Sequence, residues 1–546
     1  MSELPRTIAV DLTPVLPGGE NGGAKVFVLE LLQRLAELAP ETEFILLTQV
    51  ASHKELAVMD RPNMRRHMVI GPRENNLPSH FLKRIARLLP HLPPRVALLV
   101  RRIRHSLRSS LRRQSSPALL RSMHADLLFC PFTAPTYFEP GIPTVCTVYD
   151  LQYKTYPEFF AAAELAHREH IFIEACRRAT VLTAISDYSR QCAITHGDIN
   201  PERIRTIHLR MARRVVPEAV HDKAALVRLG LTQQRYLLYP ANFWKHKNHE
   251  MLLTAFGMAC RGQLPADIKL VCTGAPGARQ DWLLRAARAM GIAERVPFLG
   301  YLPEEELGPL IANSVGLFFP SLYEGFGLPV IEGMAAGVPV ACSNTTSLVE
   351  VAADAAILFD PRVPAQLAEA MSKLVEDEAL RARLVHAGRQ RAEEFSDSRR
   401  MAREYWDVFL YALNRENHED SLTGVYDDGW VGPVMHVHVS SRATPQSLDF
   451  DLFAPDWLPQ RRLKIQAWRG GKRRGASLEV QRGANAHWSL PLTDTGSYEI
   501  RISPTFVPAQ SGNSDDQREL SAKLRRCALK HADGQTIELF SESGRA

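Results

Sequence analysis

The sequence predicts an α/β protein in which two tandem doubly wound, Rossmann-like domains are followed by a small antiparallel β-sandwich. Three observations carry this. From residue 7 to about residue 207, short apolar runs alternate with helical patterns, as expected of parallel strands buried on both faces and joined by crossover helices. The same alternation restarts at residue 236 and runs to about residue 413. Past a polar linker at 415–424, the apolar period becomes two.

In the first domain (1–215) the predicted strands are 7–12, 44–47, 127–129, 144–148, 181–184 and 205–207. A glycine-rich loop at 18–23 follows the first strand and leads into an amphipathic helix over 26–38. The second domain (216–414) is read from runs at 236–240, 269–272, 296–299, 315–319, 338–341 and 357–359. In the third domain (425–546), Met435/Val437/Val439, Leu448/Phe450/Leu452, Leu463/Ile465/Ala467, Leu478/Val480, Trp488/Leu490/Leu492 and Tyr498/Ile500/Ile502 alternate with polar residues. Its tryptophans, Trp430, Trp457, Trp468 and Trp488, are expected mainly in the core, with stacking on sugars as the rival reading. His436 and His438 are expected on a solvated strand face. Asp449-Phe-Asp451 resembles a metal-binding D-x-D but lies inside an alternating strand.

With 546 residues, 45% apolar and 23% charged, the chain suits two or three globular cores. No run is long and apolar enough to cross a membrane, and the N-terminus lacks a basic start and apolar core, so a cytoplasmic protein is expected. The eight cysteines are scattered without a C-x-x-C pair, which implies reduced thiols and no metal. The net charge of +6 is local: an insertion at 75–125 holds eleven Lys and Arg and no acid, leaving about −5 elsewhere. Val96, Val100, Ile103, Leu107 and Leu111 recur there at helical spacing among arginines, which predicts peripheral membrane contact through 96–113, at the inner face of the cytoplasmic membrane. No nucleic-acid motif is present, so no nucleic-acid partner is expected.

The chemistry is concentrated in PSLYEGFGLPVIEGMAAG, residues 320–337. An apolar strand leads into a Gly-Phe-Gly-Leu-Pro turn, and Pro329 suits the first turn of a helix because its fixed φ and missing N–H cost nothing there. The amides of Gly325, Phe326, Gly327 and Leu328, with the helix dipole behind them, are then aimed at an anion. Glu324 and Glu332, expected in the loop and in the first helical turn, flank it. Carboxylates accept hydrogen bonds from hydroxyls, so a sugar on each side of a diphosphate, a nucleotide sugar, fits the pattern.

This stretch resembles the family 4 glycosyltransferases, retaining enzymes of the two-domain GT-B architecture, whose E-x7-E motif matches Glu324 and Glu332. Tyr239-Pro-Ala-Asn-Phe-Trp-Lys-His-Lys-Asn-His249 resembles the family's donor-phosphate segment, and its mannosyltransferase-like branches in particular. The resemblance covers about residues 5–413 and leaves out the sandwich. It implies that Lys247 pairs with the donor diphosphate, Glu324 holds the transferred sugar, Glu332 binds the ribose, and Asn242, Gly22 and Gly23 line the donor site. It also implies same-face attack by an acceptor hydroxyl, with no cofactor and no metal. Where many members carry His-Asp, this chain has Tyr149-Asp150, so Tyr149 is expected at the sugar contact beside Asp150. The expected donor is a GDP- or UDP-sugar, GDP-mannose first, and the acceptor a glycan or lipid-linked polysaccharide. Two other readings share the fold: a nucleotide-sugar epimerase, and a pseudo-transferase that binds glycan or membrane without catalysis.

Overall fold

The first strand, β1 (Thr7–Asp11), is buried on both faces, with Ile8, Ala9 and Val10 at 0% exposure, because parallel neighbours pair with both of its edges and helices cover both sides. The computed structural model describes residues 4–18, 21–71, 119–139, 141–212, 223–262, 264–414, 420–426, 428–439, 444–508 and 518–541. The basic segment expected to touch a membrane, 96–113, lies outside them. β1 is joined by β2 (Glu43–Gln49), β3 (Met64–Ile70), β4 (Leu127–Cys130), β5 (Thr144–Val148), β6 (Val181–Ala184) and β7 (Ile204–Thr206) in a parallel sheet of order β3-β2-β1-β4-β5-β6-β7. The chain reverses direction across the sheet between β1 and β4. Ligands of doubly wound sheets bind at that switch point, off the carboxyl ends of the strands.

The helix after β1 is Gly22–Leu38, four residues longer at its start than expected, and it buries Phe27, Val28, Leu31, Leu32 and Leu35 at helical spacing. β3 was not expected: Arg65, Arg66 and His67 interrupt its apolar pattern, as suits an edge strand.

The second sheet has the order β12-β11-β10-β8-β9, from β8 (Tyr236–Pro240), β9 (Lys269–Thr273), β10 (Gly316–Phe319), β11 (Val340–Ser343) and β12 (Ala356–Phe359), with its switch point between β8 and β10. The expected strand at 296–299 is reduced to one bridge, Phe298 with Cys272. Pro297 has no N–H to give a ladder there.

The helix Ser398–Asn414 follows the second domain in sequence but packs on the first. Tyr405 lies 6.1 Å from Phe27 and 5.7 Å from Phe129, and its hydroxyl sits 3.4 Å from both Thr147 and Thr183. The boundary expected at 414 therefore divides the sequence but not the packing, because this helix carries an apolar stripe that is buried against the first domain.

The third domain is a sandwich. One antiparallel sheet is β13-β14-β19-β16-β17, from β13 (Ser421–Val425), β14 (Val431–Val439), β16 (Arg462–Arg469), β17 (Lys472–Gln481) and β19 (Gly496–Ser503). The other is β18-β15-β20-β21, from β15 (Pro445–Phe453), β18 (Asn485–Pro491), β20 (Lys523–His531) and β21 (Thr536–Ser541). The alternating residues Met435, Val437, Phe450, Ile465 and Ile500 form its core as expected. His436 is not on a solvated face: it is 7% exposed, and its Nε2 lies 3.1 Å from the Arg121 guanidinium of the first domain. Asp449 accepts from Ser489 (2.6 Å) and pairs with Lys530 (2.7 Å), which fits a structural carboxylate.

Candidate active site

The two loops that leave the switch-point strands of the second sheet meet face to face. After β10, the turn ends with Gly327 at φ +110°, and the helix Leu328–Ala335 begins with proline in its first turn. Only glycine tolerates that φ without strain, and it sits where the loop turns into the helix. Ser347 fixes the turn by donating to the carbonyls of Glu324 (2.9 Å) and Phe326 (3.0 Å), while the Glu324 amide reaches the Thr346 hydroxyl at 3.2 Å. The Phe326 ring is 3% exposed and packs edge-on against Phe395, so the side chain is a packing group.

After β8, a single helical turn at Lys245–Lys247 is closed by Asn248 at φ +58°. Asn248 donates to the carbonyls of Pro320 (3.1 Å) and Pro361 (2.9 Å), the Tyr239 hydroxyl donates to the Lys247 carbonyl (2.7 Å), and the Leu322 amide donates to the His246 carbonyl (2.7 Å). This strapping brings the Lys247 ammonium 2.6 Å from Glu324, with both side chains 12% exposed. His249 is 2% exposed between Tyr239 and Phe243, and burial lowers its pKa to about 3, which makes it a neutral packing residue. Asn242 accepts from the Ala275 amide (2.9 Å) and so braces the loops after β8 and β9.

Glu332 is buried, 2% exposed, and is the fifth residue of its helix, not part of the first turn. Leu328 to Ile331 fill that turn, so the carboxylate stands at the start of the second turn, one residue past the expected place.

The first domain closes over these loops. A Cβ built on Gly325 would overlap the Tyr149 carbonyl oxygen, and one on Gly23 would lie 3.3 Å from Leu328. Gly22 has φ +53° at the start of its helix. The Ser189 hydroxyl lies between the carbonyls of Tyr149 (2.8 Å) and Gly325 (3.3 Å), and the Leu151 amide donates to the Tyr323 hydroxyl at 3.3 Å. Asp150 is held above the usual carboxylate range, mainly by burial, with Glu324 raising it further and Arg168 and Lys247 lowering it. The structure therefore brings Asp150 within electrostatic reach of the Glu324–Lys247 pair. The Tyr149 side chain goes elsewhere: its ring packs on Phe27 and Phe132, its hydroxyl has no hydrogen-bond partner among the described residues, and burial pushes it well above its usual pKa. Tyr149 meets the Gly325 turn through its main-chain carbonyl, and its phenol, expected at the sugar, is packed against Phe27 and Phe132 instead.

Two features near the cleft carried no signal in the sequence. Glu350, from the second domain, accepts from the Asp187 (2.8 Å) and Tyr188 (2.9 Å) amides at the start of the first domain's helix Asp187–Gly197, with His208 Nε2 at 3.2 Å. The partial positive charge of that helix end makes this a charge-assisted latch. Asp187, His208 and Glu350 lie close enough to hold a cation, but the two amides and Thr206 already occupy carboxylate oxygens of Glu350 and Asp187. Replacing Glu350 with Ala should shift the protein toward an open cleft, read as a larger radius of gyration in solution scattering and a donor KM raised at least about fivefold, with little change in Tm. An unchanged radius and KM would remove the latch.

The second feature is Asp11 at the end of β1, beside the first sheet's switch point. It is 1% exposed, its Oδ1 accepts from Thr13, and burial raises its pKa to about 6 against the lowering effect of Thr13 and Thr136. An acid with a folded pKa above its unfolded value holds its proton longer in the folded state, so stability falls as pH rises from about 4 to about 6 and stays lost above. The full shift amounts to about 3 kcal/mol. Asp11→Asn should therefore raise Tm at pH 7 and converge with the parent protein near pH 4 in thermal melts. Parallel melting curves across that range would contradict the shift.

Two crossed Rossmann-like domains, with a glycine turn, a helix N-terminus and a Lys–Glu pair at their shared cleft, define a GT-B glycosyltransferase. The family models agree domain by domain: residues 21–209 match Glycosyltransferase Family 4, and residues 227–391 match Glycosyl transferases group 1. The chain belongs to the family 4 glycosyltransferases. Among curated relatives it is 30% identical over 257 residues to an O-antigen chain mannosyltransferase B of Escherichia coli, covering 46% of this chain and 66% of that protein. It is 28% identical over 287 residues to an MMP α-(1→4)-mannosyltransferase of Mycolicibacterium hassiacum, covering 50% of this chain and 67% of that protein. The matches thus span about two-thirds of those relatives' lengths. Among solved structures, Anabaena Alr3699/HepE in complex with UDP and glucose superposes with a TM-score of 0.54 at 17% identity, covering 74% of this chain and 100% of that one. Neither family model reaches the sandwich, and among the described residues no helix is long and apolar enough to cross a membrane.

Proposed function

We propose that the protein transfers a sugar, with retention, from a nucleoside diphosphate donor to a glycan or lipid-linked polysaccharide acceptor, with mannose from GDP-mannose as the first donor to test. The observation that carries this reading is the Lys247–Glu324 pair, 2.6 Å apart at the mouth of a glycine turn that opens a helix. An ammonium has three donors, and Glu324 takes one, so Lys247 can hold a sugar-binding carboxylate and a phosphate oxygen at once. As the glycosidic bond breaks, negative charge grows on the leaving diphosphate, and Lys247 with the amides of Gly325, Phe326, Gly327 and Leu328 would stabilise it without a metal or other cofactor. Glu324 would orient the sugar's hydroxyls, and Glu332 the ribose. The acceptor hydroxyl would attack from the same face and pass its proton to the departing phosphate. The mannosyltransferases among the relatives support the donor choice, and the one named for O-antigen supports a polysaccharide acceptor.

The test is nucleotide release from a panel of GDP- and UDP-sugars, with membrane extract as acceptor source and Glu324→Ala as control. Release from one donor, abolished by the substitution, is the expected result. Binding of GDP or UDP with no release from any donor would favour the pseudo-transferase reading, and release of free nucleotide with epimerised sugar and no acceptor would favour the epimerase.

A further inference from the structure

The sandwich divides its tryptophans between two roles. Trp488 is 8% exposed and stacks on Phe450 in the core, as the sequence suggested for all four. Trp457 is 58% exposed and stands in an aromatic cluster, 5.4 Å from Trp430 and 5.8 Å from Phe506, which are themselves 5.8 Å apart. Beside Trp430, whose amide reaches Asp428 at 3.4 Å, the exposed Asp428 pairs with Arg518 through contacts of 3.1 and 2.7 Å, and the Arg518 guanidinium lies over the Tyr426 ring.

The cluster shares no residue with the cleft and lies well along the strands from the sandwich's docking contact. The sandwich meets the first domain where Arg121 approaches His436 and where Gly141 packs on Ser497. Arg121 and Gly141 precede β4 and β5, so this contact lies at the amino-terminal edge of the first sheet, opposite the edge that faces Glu324 and Lys247. β14 and β19 then run from that contact to the cluster, since Trp430 precedes Val431 and Phe506 follows Ser503. The strand rise places the cluster on the order of 20 Å beyond the docking contact.

We propose that Trp457, backed by Trp430 and Phe506 and edged by Asp428 and Arg518, is a second saccharide site that holds a distant part of a long glycan chain while the cleft acts on another part. This rests on the transferase reading for its ligand, but not for its measurement. A pyranose ring has an apolar C–H face that covers an indole and a rim of hydroxyls that a carboxylate and a guanidinium can bind. A single exposed indole, worth at most about 250 Å², is far short of the ~800 Å² per partner of a stable protein interface, which argues against a second copy of the chain as the occupant. The cluster is built wholly from the sandwich, so it would sense polymer and leave donor chemistry untouched.

The experiment measures binding of yeast mannan and a panel of bacterial O-polysaccharides to the full-length protein, by calorimetry and tryptophan fluorescence, without donor. Trp457→Ala should weaken binding at least about tenfold, as loss of a central aromatic anchor does, while Trp457→Phe retains part of it. Because Trp457 is exposed, neither change should alter Tm. Glu324→Ala should bind polysaccharide normally, which separates failure of this site from failure of the transfer site. Equal binding by Trp457→Ala, or no binding of any probe by the parent protein, would overturn the proposal. So would a dimer in sedimentation that Trp457→Ala converts to monomer, since the ring would then be a subunit contact.

Discussion

Replacing Lys247 with Ala should lower kcat by roughly 10²–10³ with the preferred donor, the cost of removing one preorganised group that faces developing charge. The loop should survive, because Asn248, Tyr239 and Leu322 hold it through main-chain bonds that do not use the lysine side chain. The electrostatic consequence is larger than one lost contact. Lys247 pairs with Glu324, and Asp150 is raised by Glu324 and lowered by Arg168 and Lys247. Without the ammonium, Glu324 loses its cation and Asp150 loses one of two, and the donor's diphosphate adds further negative charge. Donor affinity should therefore fall along with kcat, a loss greatest in kcat/KM. The double variant Lys247→Ala/Glu324→Gln tests the coupling: removing the repelling carboxylate should restore part of the donor affinity but none of the rate, so the two changes will not add. Full turnover by Lys247→Ala would remove it from the mechanism.

The parts of the site written in one contiguous stretch were legible from the order of residues alone. Gly327 with its positive φ, Pro329 in the first turn and an apolar strand before them are local devices, and local devices leave a local signature. Lys247 was legible for the same reason, in the loop of the neighbouring switch-point strand. Depth was harder to read, and Glu332 is buried just past the first turn of its helix instead of within it. What stayed hidden joins residues far apart. Glu350 bonds to amides 162 and 163 residues away, and backbone amides have no letter in the sequence. The return of Ser398–Asn414 to the first domain was hidden because an apolar stripe shows that a helix must be covered, not what covers it. His436 failed likewise: strand alternation placed it outward correctly, but the outward face turned out to meet Arg121.

Gly325→Ala should act through the closure of the cleft. Its new Cβ would overlap the Tyr149 carbonyl oxygen and approach the Asp150 Cβ to 3.2 Å, and both belong to the opposite domain. A flexible side chain could swing aside, but the Tyr149 carbonyl is main chain and is tied to Ser189 at 2.8 Å, so relief must come from separating the domains. Separation stretches the Ser189–Gly325, Leu151–Tyr323 and Glu350 contacts together, and it carries Asp150 away from Glu324 and Lys247. A displacement near 1 Å in a reacting constellation costs about 10² in rate, so kcat/KM should fall by at least that much. Stability should change little, because each domain's own core is untouched. Gly327→Ala supplies the contrast: at φ +110°, with Leu348 packed against it inside the same domain, its strain cannot be relieved by opening, and it should lower Tm instead. If Gly325→Ala keeps full activity and an unchanged scattering radius, the cleft does not close through this contact during turnover, and the catalytic approach of the two domains must follow another path.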